Sequence, residues 1–409
     1  MRRCVWVVTT LLLAGGLMVG SSPNATAATC SVKNAATGTV YPALQAAADA
    51  AAGGGTLRIR GVCVGSTLIE DKELTLLGAP TAGTPTPTLD GNHMGRVLVL
   101  RDATIVLRDL TITNGWRQQG GGIRQIRGLL DLGGDTDITA NETSSAIYSS
   151  GVLVLRDSAK VSANPGAGVS LYDGMLTMRD SAEVSANSGT GVAVEFGTLL
   201  MLDSASVSGN ASGGISSWKS IATLEGSSSV SANTGAGIDS YGRGSVLTMN
   251  DRSSVTGNTG SGISNFQHAV LVLNDSASVT YNTSSVVGGG GGGGGVLNQA
   301  TMIVRGAATV AHNSARRGGG IRNDGDLGGT VKLTHEASVV ENDAKRGGGI
   351  WNRKMGVVSL YGSASVVQNY ARRGGGILSI FGTVFLCSAS AVISPNQPDD
   401  PPRTRSCFG

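Results

Sequence analysis

Aromatic and charged side chains are scarce in this chain of 409 residues. Phe, Trp and Tyr make up 4% of the sequence and Asp, Glu, Lys and Arg 14%, which is unlike a compact enzyme of layered helices and sheets. The hydrophobic fraction of 40% is nevertheless too high for an intrinsically disordered chain. The 63 glycines and the frequent Ser and Thr discourage helices. This composition favours many short β-strands joined by turns of small residues.

Long hydrophobic runs are also lacking after the first 27 residues. The chain begins with a positive pair at residues 2–3, an apolar run that reaches Val19, and an A-x-A sequence at residues 25–27. This is the pattern of a secretory signal, and its apolar stretch is short for a membrane span. We therefore expect cleavage after Ala27, no membrane span, and a mature protein that is secreted or held at the cell surface.

Cysteine is rare, and four cysteines follow the signal: Cys30, Cys63, Cys387 and Cys407. Four cysteines allow three pairings, and an oxidising compartment favours disulfides over metal ligation. If the residues between them stack into a rod, its two ends lie too far apart for a bridge, which needs Cα atoms within roughly 7 Å. We expect the pairs Cys30–Cys63 and Cys387–Cys407, one at each end, and no metal site formed by these residues.

An asparagine recurs every 23 to 31 residues along most of the chain. The series comprises Asn141, Asn164, Asn187, Asn210, Asn233, Asn258, Asn282, Asn313, Asn342, Asn369 and Asn396, and Asn114 extends it upstream. Val stands three residues before the Asn in nine consecutive repeats, from Val161 to Val366, and aliphatic residues stand nine and eleven before it. Gly-Ile or Gly-Val pairs follow the Asn. The two-residue step between aliphatic columns is the period of a β-strand.

Each repeat therefore supplies several very short strands. A leucine-rich repeat has a unit of similar length, but the Leu-x-x-Leu-x-Leu pattern is absent. The repeats predict an all-β fold, a single-stranded right-handed parallel β-helix of roughly 12–14 coils. The Asn side chains, which both donate and accept hydrogen bonds, are expected to form a ladder inside it.

The segments around the repeats complete the domain organisation. Residues 1–27 are the expected signal peptide and residues 28–55 an N-terminal cap with a helix at Pro42–Ala52, the only good helical pattern. Residues 56–396 form the β-helix, and residues 397–409 a C-terminal tail held by a disulfide. The run Gly288–Gly295 is interpreted as a loop that bulges from one coil.

Three nearly identical segments, Arg317–Ile321, Arg346–Ile350 and Arg373–Ile377, read Arg-Gly-Gly-Gly-Ile. With the asparagine repeats, they make residues 56–396 resemble the secreted right-handed β-helix repeat proteins of the pectin-lyase-like superfamily. They are also similar to the G-G-[AI] repeats of polymorphic outer-membrane proteins, although this chain has Val where those repeats have Phe. The resemblance implies a secreted β-helix that binds or cleaves acidic polysaccharides.

Catalytic residues would be expected where the repeat is irregular, because binding and catalytic residues are disproportionately on loops. Asp131, Asp135 and Asp137 occur in such a stretch, together with Arg124, Arg127 and Trp116. Paired carboxyls with neighbouring bases are what a glycosidase or lyase needs, so the three aspartates and two arginines are the candidate catalytic residues, and Trp116 is a candidate ring for stacking on a sugar.

A regular acidic column, in contrast, indicates a structural role. It consists of Asp157, Asp180, Asp203, Asp251 and Asp275, each seven residues before a repeat Asn. A recurring turn favours an Asx side chain that bonds the backbone. Calcium bound along this stack is the alternative, and it is the one cofactor that the sequence suggests.

Charge is distributed unevenly along the rod. Residues 28–304 carry 16 basic and 21 acidic side chains, whereas residues 305–409 carry 13 and 7. Three cation pairs precede the Gly-Gly-Gly-Ile segments: Arg316 and Arg317, Lys345 and Arg346, Arg372 and Arg373. Stacked coils would bring the six into one ridge, which is either a well-solvated turn or a docking strip for a polyanion.

These observations favour a non-catalytic β-helix that binds a glycan or cell-envelope polymer through the six cations and Trp116, or that serves as an adhesive or structural spacer. The alternative is a polysaccharide lyase or glycoside hydrolase acting on an acidic polysaccharide. Nucleic acid is not an expected partner, because stacking aromatics are few. We expect a monomer.

Overall fold

The computed structural model describes residues 29–80, 86–142, 144–285, 292–399 and 402–407. The expected signal at residues 1–27 and the first part of the glycine run, residues 288–291, lie outside this part of the chain. The described residues form a right-handed parallel β-helix of about 12 coils, so the predicted fold class is confirmed.

Each coil contributes one strand to each of three parallel sheets. In one coil the chain passes through Leu129–Gly133 of the first sheet, Asp137–Thr139 of the second and Ser145–Ser149 of the third. It then returns to the first sheet at Val152–Leu155, where Leu153 pairs with Leu130. Because the coils stack strand on strand, equivalent residues of neighbouring coils lie about 4.8 Å apart.

Among the described residues, the first sheet contains the most strands, 17 in all. Those with parallel pairings are Gly55–Arg60, Glu73–Gly78, Thr104–Arg108, Leu129–Gly133, Val152–Leu155, Met175–Met178, Thr198–Met201, Ile221–Leu224, Val246–Met249, Val270–Leu273, Thr301–Val304, Thr330–Leu333, Val357–Leu360, Thr383–Leu386 and Arg405–Ser406. Ser31–Asn34 and Val40–Tyr41 extend this sheet with antiparallel pairings.

The second and third sheets have 13 strands each. The second comprises Val62–Val64, Thr88–Asp90, Thr111–Thr113, Asp137–Thr139, Lys160–Ser162, Glu183–Ser185, Ser206–Ser208, Ser229–Ser231, Ser254–Thr256, Ser278–Thr280, Thr309–Ala311, Ser338–Val340 and Ser365–Val367. The third comprises Thr67–Glu70, Leu98–Arg101, Ile123–Ile126, Ser145–Ser149, Ala167–Tyr172, Thr190–Glu195, Gly213–Trp218, Ile238–Tyr241, Ile263–Phe266, Val296–Asn298, Ile321–Asp324, Ile350–Arg353 and Ile377–Ile380. A fourth sheet consists of Thr283–Ser284, Ser314–Arg317, Asp343–Arg346 and Tyr370–Ala371.

The aliphatic columns of the sequence form the core. The two columns before the Asn, such as Leu153 and Leu155, point inward from the first sheet, and the Val column points inward from the second. The Ile and Val residues of the Gly-Ile and Gly-Val pairs point inward from the third sheet, as Ile321 and Ile350 do. One continuous apolar core therefore runs through the rod.

The predicted asparagine ladder lies directly after the second sheet and is buried throughout. The side-chain amide of Asn187 donates to Asn210 Oδ1 at 3.0 Å and to the Val161 carbonyl at 3.0 Å, and the Asn187 backbone N–H donates to the same Oδ1 at 3.1 Å. The same bonds recur from Asn141 to Asn396.

The upstream end of the ladder differs from the prediction. Ile112 pairs with Ile138, so Gly115 and not Asn114 is level with Asn141, and the Gly115 N–H donates to Asn141 Oδ1 at 3.0 Å. Asn114 lies one residue earlier, in a left-handed conformation, and its amide donates to Asp90. An Asn spacing alone does not reveal this shift of register.

The N-terminal end of the rod is covered by a helix, as expected, although the helix is shorter than predicted and spans Leu44–Ala50. Leu44, Ala47 and Ala48 are buried against the first coil. The Lys72 ammonium donates to three carbonyls at the C-terminal end of this helix, which lack partners within it. The expected disulfides Cys30–Cys63 and Cys387–Cys407 are present at the two ends.

The described end of the glycine run belongs to a stacked coil, in contrast to our interpretation of the run as a loop that bulges from one coil. Its last three residues stack on the next coil, where the N–H groups of Gly294 and Gly295 donate to the carbonyls of Gly318 and Gly319. The end of the run therefore belongs to the same triple-glycine turn that precedes Ile321, Ile350 and Ile377.

Candidate functional site

Several coils contain an extra excursion between the ladder asparagine and the third sheet, which we call the arm. In the last three repeats the arm contains the strands Ser314–Arg317, Asp343–Arg346 and Tyr370–Ala371, which pair in parallel. The first of its three glycines has a positive φ, +62° at Gly318, and a Cβ there would lie 2.3 Å from the Ile321 carbonyl oxygen. Glycine is therefore required for the chain to turn back into the third sheet.

The six expected cations lie at the tips of these three arms, and together we call them the basic ridge. Arg317 and Arg346 are register partners on adjacent strands. The backbone bond from the Gly347 N–H to the Arg373 carbonyl at 3.0 Å continues the stack to the last arm. The ridge thus has two parallel columns, one of Arg316, Lys345 and Arg372 and the other of Arg317, Arg346 and Arg373, with about 4.8 Å between steps.

The charges of the ridge are not neutralised by neighbouring acids. Within the described part of the chain, no carboxylate lies within 4.0 Å of any of the six cationic groups. Five of the six side chains are exposed and Arg317 is half-buried. Burial, followed by the charges of Arg316, Arg346 and Arg353, lowers the pKa of Arg317. The ridge therefore produces a strong positive potential, which water and counter-ions must screen.

Trp351 packs against Arg317, a member of the column that also contains Arg346 and Arg373 and that we call the inner column. Its buried indole lies below Arg317, whose Cζ is 4.9 Å from the ring centroid, and Arg322 and Arg353 contact the same ring at 5.2 and 5.1 Å. Such contacts between a guanidinium and an aromatic face are attractive. Arg317 is therefore held in place by packing although its nearest charged neighbours repel it.

A buried carboxylate, that of Asp324, lies between Arg322 and Arg353, two arginines that contact the ring of Trp351. Asp324 accepts hydrogen bonds from Arg353 at 2.6 Å and from Arg322 at 3.2 Å. Burial opposes the ionisation of Asp324, but the hydrogen bond and charge of Arg353 outweigh it and lower the pKa of this carboxyl. One carboxylate offsets only one of the two guanidinium charges, so this pair of arginines adds to the positive field of the ridge.

Two grooves follow the ridge. The larger groove, of about 560 Å³, runs along the other column, that of Arg316, Lys345 and Arg372, which we call the outer column. Hydroxyl-bearing residues of the preceding coil, residues 283–285, form its other side. Its lining includes Arg316, Lys345, Arg372, Ser284, Asp343 and Tyr370. The smaller, of about 240 Å³, lies between the two columns and is lined by the six cations alone. Cations, hydroxyls and an exposed aromatic ring together suit a hydroxylated ligand with repeated negative charge.

The acidic residues proposed as catalytic lie on different faces of the rod. Asp131 points outward from the first sheet, between Arg108 at 3.2 Å and Arg156 at 3.0 Å. Asp137 lies on the second sheet, where burial raises its pKa and the Ser162 hydroxyl donates to it at 3.0 Å. The Asp135 N–H donates to Asp109 in the turn between these sheets. The structure therefore does not bring the three carboxyls into one groove.

The other residues of that stretch are also separated. Arg127 forms an exposed ion pair with Asp102, with Nε 2.6 Å from Oδ1. Arg124 lies on the third sheet and contacts the ring of Tyr148, with Cζ 5.8 Å from the centroid. Trp116 is exposed in an arm, beside Arg117. The arm that contains Trp116 leads into the strand Ile123–Ile126, which contains Arg124.

The regular aspartate column has the structural role that its repetition indicated. Its members adopt left-handed turn conformations, and each carboxylate accepts a backbone N–H from the preceding coil, as in the bond from the Asp157 N–H to Asp180 Oδ2 at 3.1 Å. In the described residues no three His, Cys, Asp or Glu side chains come close enough to share a metal ion.

Two features of the third sheet were not predicted. A second asparagine ladder joins Asn265, Asn298, Asn323 and Asn352 through their amides. Aromatic residues line the opposite edge from the arms, where Phe196 contacts the rings of Tyr172 and Trp218 and, in the next coils, Tyr241 stacks on Phe266. The repeated Ile-x-Asn or Val-x-Asn pattern could have revealed the ladder. The aromatic residues could also have been found, because four of them stand eight residues after a repeat Asn and Phe196 stands nine after one.

Comparison with protein-family models, with curated proteins and with solved structures finds no match for this chain. No helix among the described residues is long and apolar enough to cross a membrane.

Proposed function

We propose that this protein is a secreted or surface-associated β-helix that binds an anionic glycan or cell-envelope polymer through the basic ridge, without cleaving it. The observation that carries the proposal is the stacking of six cations, in two columns, with no carboxylate within ion-pair distance in the described chain. Like charges that are stacked on adjacent strands destabilise a sheet. A bound polyanion would remove this cost, so the arrangement favours the bound state.

The spacing of the ridge supports a polymer over a small anion. Each column repeats its charge at about 4.8 Å over three coils. A chain of uronic acids or of phosphate-linked sugars also presents charge repeatedly along its length, so several contacts form at once. The adjoining groove offers Ser284, Asp343 and Tyr370, which can exchange hydrogen bonds with sugar hydroxyls.

The expected signal peptide and the two disulfides support a location outside the cytoplasm. Polyuronates and teichoic-type polymers are the anionic polymers that an exported protein meets at a cell envelope. A role as adhesive or structural spacer is compatible with the same ridge, because a rod that binds such a polymer attaches to the surface that carries it.

The test is a binding measurement on the mature chain with polygalacturonate and a teichoic-type polymer. One variant replaces all six ridge cations with Gln. A matched control replaces six exposed cations elsewhere that form no ion pair in the described residues: Lys33, Arg58, Arg60, Lys160, Arg243 and Arg252. We expect the ridge variant to lose at least about tenfold in affinity, equivalent to 1.4 kcal/mol, and the control to lose much less. Equal losses would contradict the proposal, and so would release of reducing or unsaturated ends from the polymer.

A further inference from the structure

The segment around Trp116 is another copy of the arm. Gly115 occupies the ladder position, since its N–H donates to Asn141 Oδ1. Ile123 enters the third sheet eight residues later, as Ile321 does after Asn313, and Gly120 has a φ of +61° like Gly318. Trp116 therefore takes the position of Tyr370, the first residue of an arm, and both rings are exposed. The triple glycine of residues 120–122 was the signal for this equivalence.

This arm is also positively charged, but its cations come from other positions than those of the basic ridge. Gln118 and Gln119 stand where the basic ridge has Arg316 and Arg317, but three guanidiniums come from Arg96, Arg117 and Arg124. Arg96 Nε donates to the Gln119 carbonyl at 3.1 Å. Burial, followed by the charges of Arg124 and Arg117, lowers the pKa of Arg96, which indicates that the three cations lie close to one another.

A groove of about 440 Å³ follows this arm and is lined by Trp116, Arg117, Gln118, Glu142 and Ser144. The guanidinium of Arg117 lies beside the indole, with Cζ 5.5 Å from the ring centroid. Glu142 is the one acid of the lining, and its carboxylate is 3.6 Å from His93 Nδ1. We call this the Trp116 groove. It repeats the combination of cation, exposed ring and hydroxyl found in the groove beside the basic ridge.

The coils in the middle of the rod lack the arm. Val169 stands five positions after Asn164, and the first core residue of the third sheet stands five positions after Asn187, Asn210, Asn233 and Asn258 as well. The coil of Asn282 already has an arm strand, Thr283–Ser284, which lines the groove beside the basic ridge. Eight coil steps, counted along the ladder from Gly115 to Asn313, separate the Trp116 groove from the first arm of the ridge. At about 4.8 Å per step the distance is about 38 Å, along the same edge of the rod.

We propose that the Trp116 groove is a second binding site for the same anionic polymer, so that one polymer chain contacts the rod at both places. The inference rests on the proposed function of the ridge. Two sites about 38 Å apart on a rigid rod convert the second contact into an intramolecular one, which raises the affinity for polymers long enough to span them. Short oligomers gain nothing from the second site.

The test compares polygalacturonate with galacturonic-acid trimers, using the mature chain and a double variant, Trp116→Ala with Arg117→Gln. Both residues are exposed, so the fold should be kept. We expect the double variant to bind the polymer at least about tenfold more weakly and to bind trimers at the ridge within about twofold of the original chain. The control is Arg243→Gln with Arg252→Gln, two exposed cations outside both sites.

A gain of affinity provides the second arm of the test. Gln118→Arg places a cation at the position of Arg316, and we expect it to strengthen polymer binding several-fold. Unchanged polymer binding in both the double variant and Gln118→Arg would overturn the second site. If the double variant has no effect while the six-Gln ridge variant loses binding, only this inference fails. If the ridge variant itself binds normally, the proposed function fails.

Discussion

Arg317 and Arg346 are direct register partners on adjacent parallel strands, and in the described chain neither has a carboxylate within ion-pair distance. A sheet normally avoids like charges in this arrangement, because they repel across a short gap. In the arms, like charges are nevertheless stacked in three successive coils. The stability of the free protein and its affinity for a polyanion should therefore both respond to the charges of the ridge.

Removing one charge from the ridge should stabilise the free protein. Arg346→Gln relieves the repulsion on Arg317, and we expect the free energy of unfolding at low salt to rise by about 0.5 kcal/mol. The gain should disappear near 1 M salt, where the screening length is about 3 Å. Chemical denaturation at both salt concentrations measures the effect. Arg252→Gln is the control, and a loss of stability in Arg346→Gln at low salt would contradict the account.

Trp351 should contribute to binding through Arg317. Trp351→Leu removes the ring that holds the guanidinium, and a cation–π contact contributes roughly 0.5–1 kcal/mol, so polymer affinity should fall by about two- to fivefold. Titration with polygalacturonate measures the change. Trp218→Leu removes a ring that Lys219 contacts at 4.8 Å, away from the arms, and should leave affinity unaltered. An equal effect of the two substitutions would argue against a positioning role.

The asparagine ladder should be the most sensitive polar element of the fold. Asn210→Ala removes the acceptor of the Asn187 backbone N–H and amide, and the donor to Asn233 Oδ1 and the Val184 carbonyl. Each buried group left without a partner costs about 1–3 kcal/mol, so the free energy of unfolding should fall by about 3 kcal/mol or more. Asn250→Ala, at a half-buried site outside the ladder, should cost less than about 1 kcal/mol. Similar losses in denaturation midpoint would show that the ladder is not special.

Asp239 makes stability depend on pH. It lies on the outer face of the third sheet, where burial raises its pKa and a hydrogen bond from Ser264 lowers it less. Because the folded pKa is raised, the folded state holds the proton more tightly, and stability falls as pH rises from the ordinary aspartate range through the folded pKa.

Asp239→Asn should therefore raise the free energy of unfolding at neutral pH and have little effect below the ordinary aspartate range. Denaturation curves across this pH range measure the difference. Asp173→Asn, at an exposed turn position, serves as the control. A gain for Asp239→Asn that is the same at all pH values would contradict a titration effect.

The regular part of the fold was predictable because its physical causes repeat. A Val that must fill the core and an Asn that must satisfy turn groups recur in nine consecutive coils, so columns such as Val161 and Asn164 are visible in the sequence. The start of the ladder was misplaced by one residue, because Gly115 takes the position that Asn114 suggested. Register depends on strand pairing, and the pairing of the first coils is not encoded in a repeated residue.

The candidate site was predictable only in part. The six cations were found because they repeat with the Gly-Gly-Gly-Ile segments. The sequence did not show that their arms pair in a fourth sheet, or that Arg317 packs on Trp351. Asp131 looked like a catalytic candidate because its partners, Arg108 and Arg156, come from neighbouring coils and cannot be recognised before the coils are stacked. The sequence did not identify the segment around Trp116 as an arm, because Gln118 and Gln119 stand where the arms of the ridge have two cations.

The most direct test of polyanion binding by the ridge is the salt dependence of polygalacturonate affinity. Each cation that contacts the polymer releases counter-ions, so the logarithm of the affinity should fall steeply with the logarithm of salt concentration. We predict a steep slope for the original chain and for the six-cation control. The six-Gln ridge variant should retain less than half of that slope. An unchanged slope in the ridge variant would contradict the account, because the polymer would then be bound by other charges.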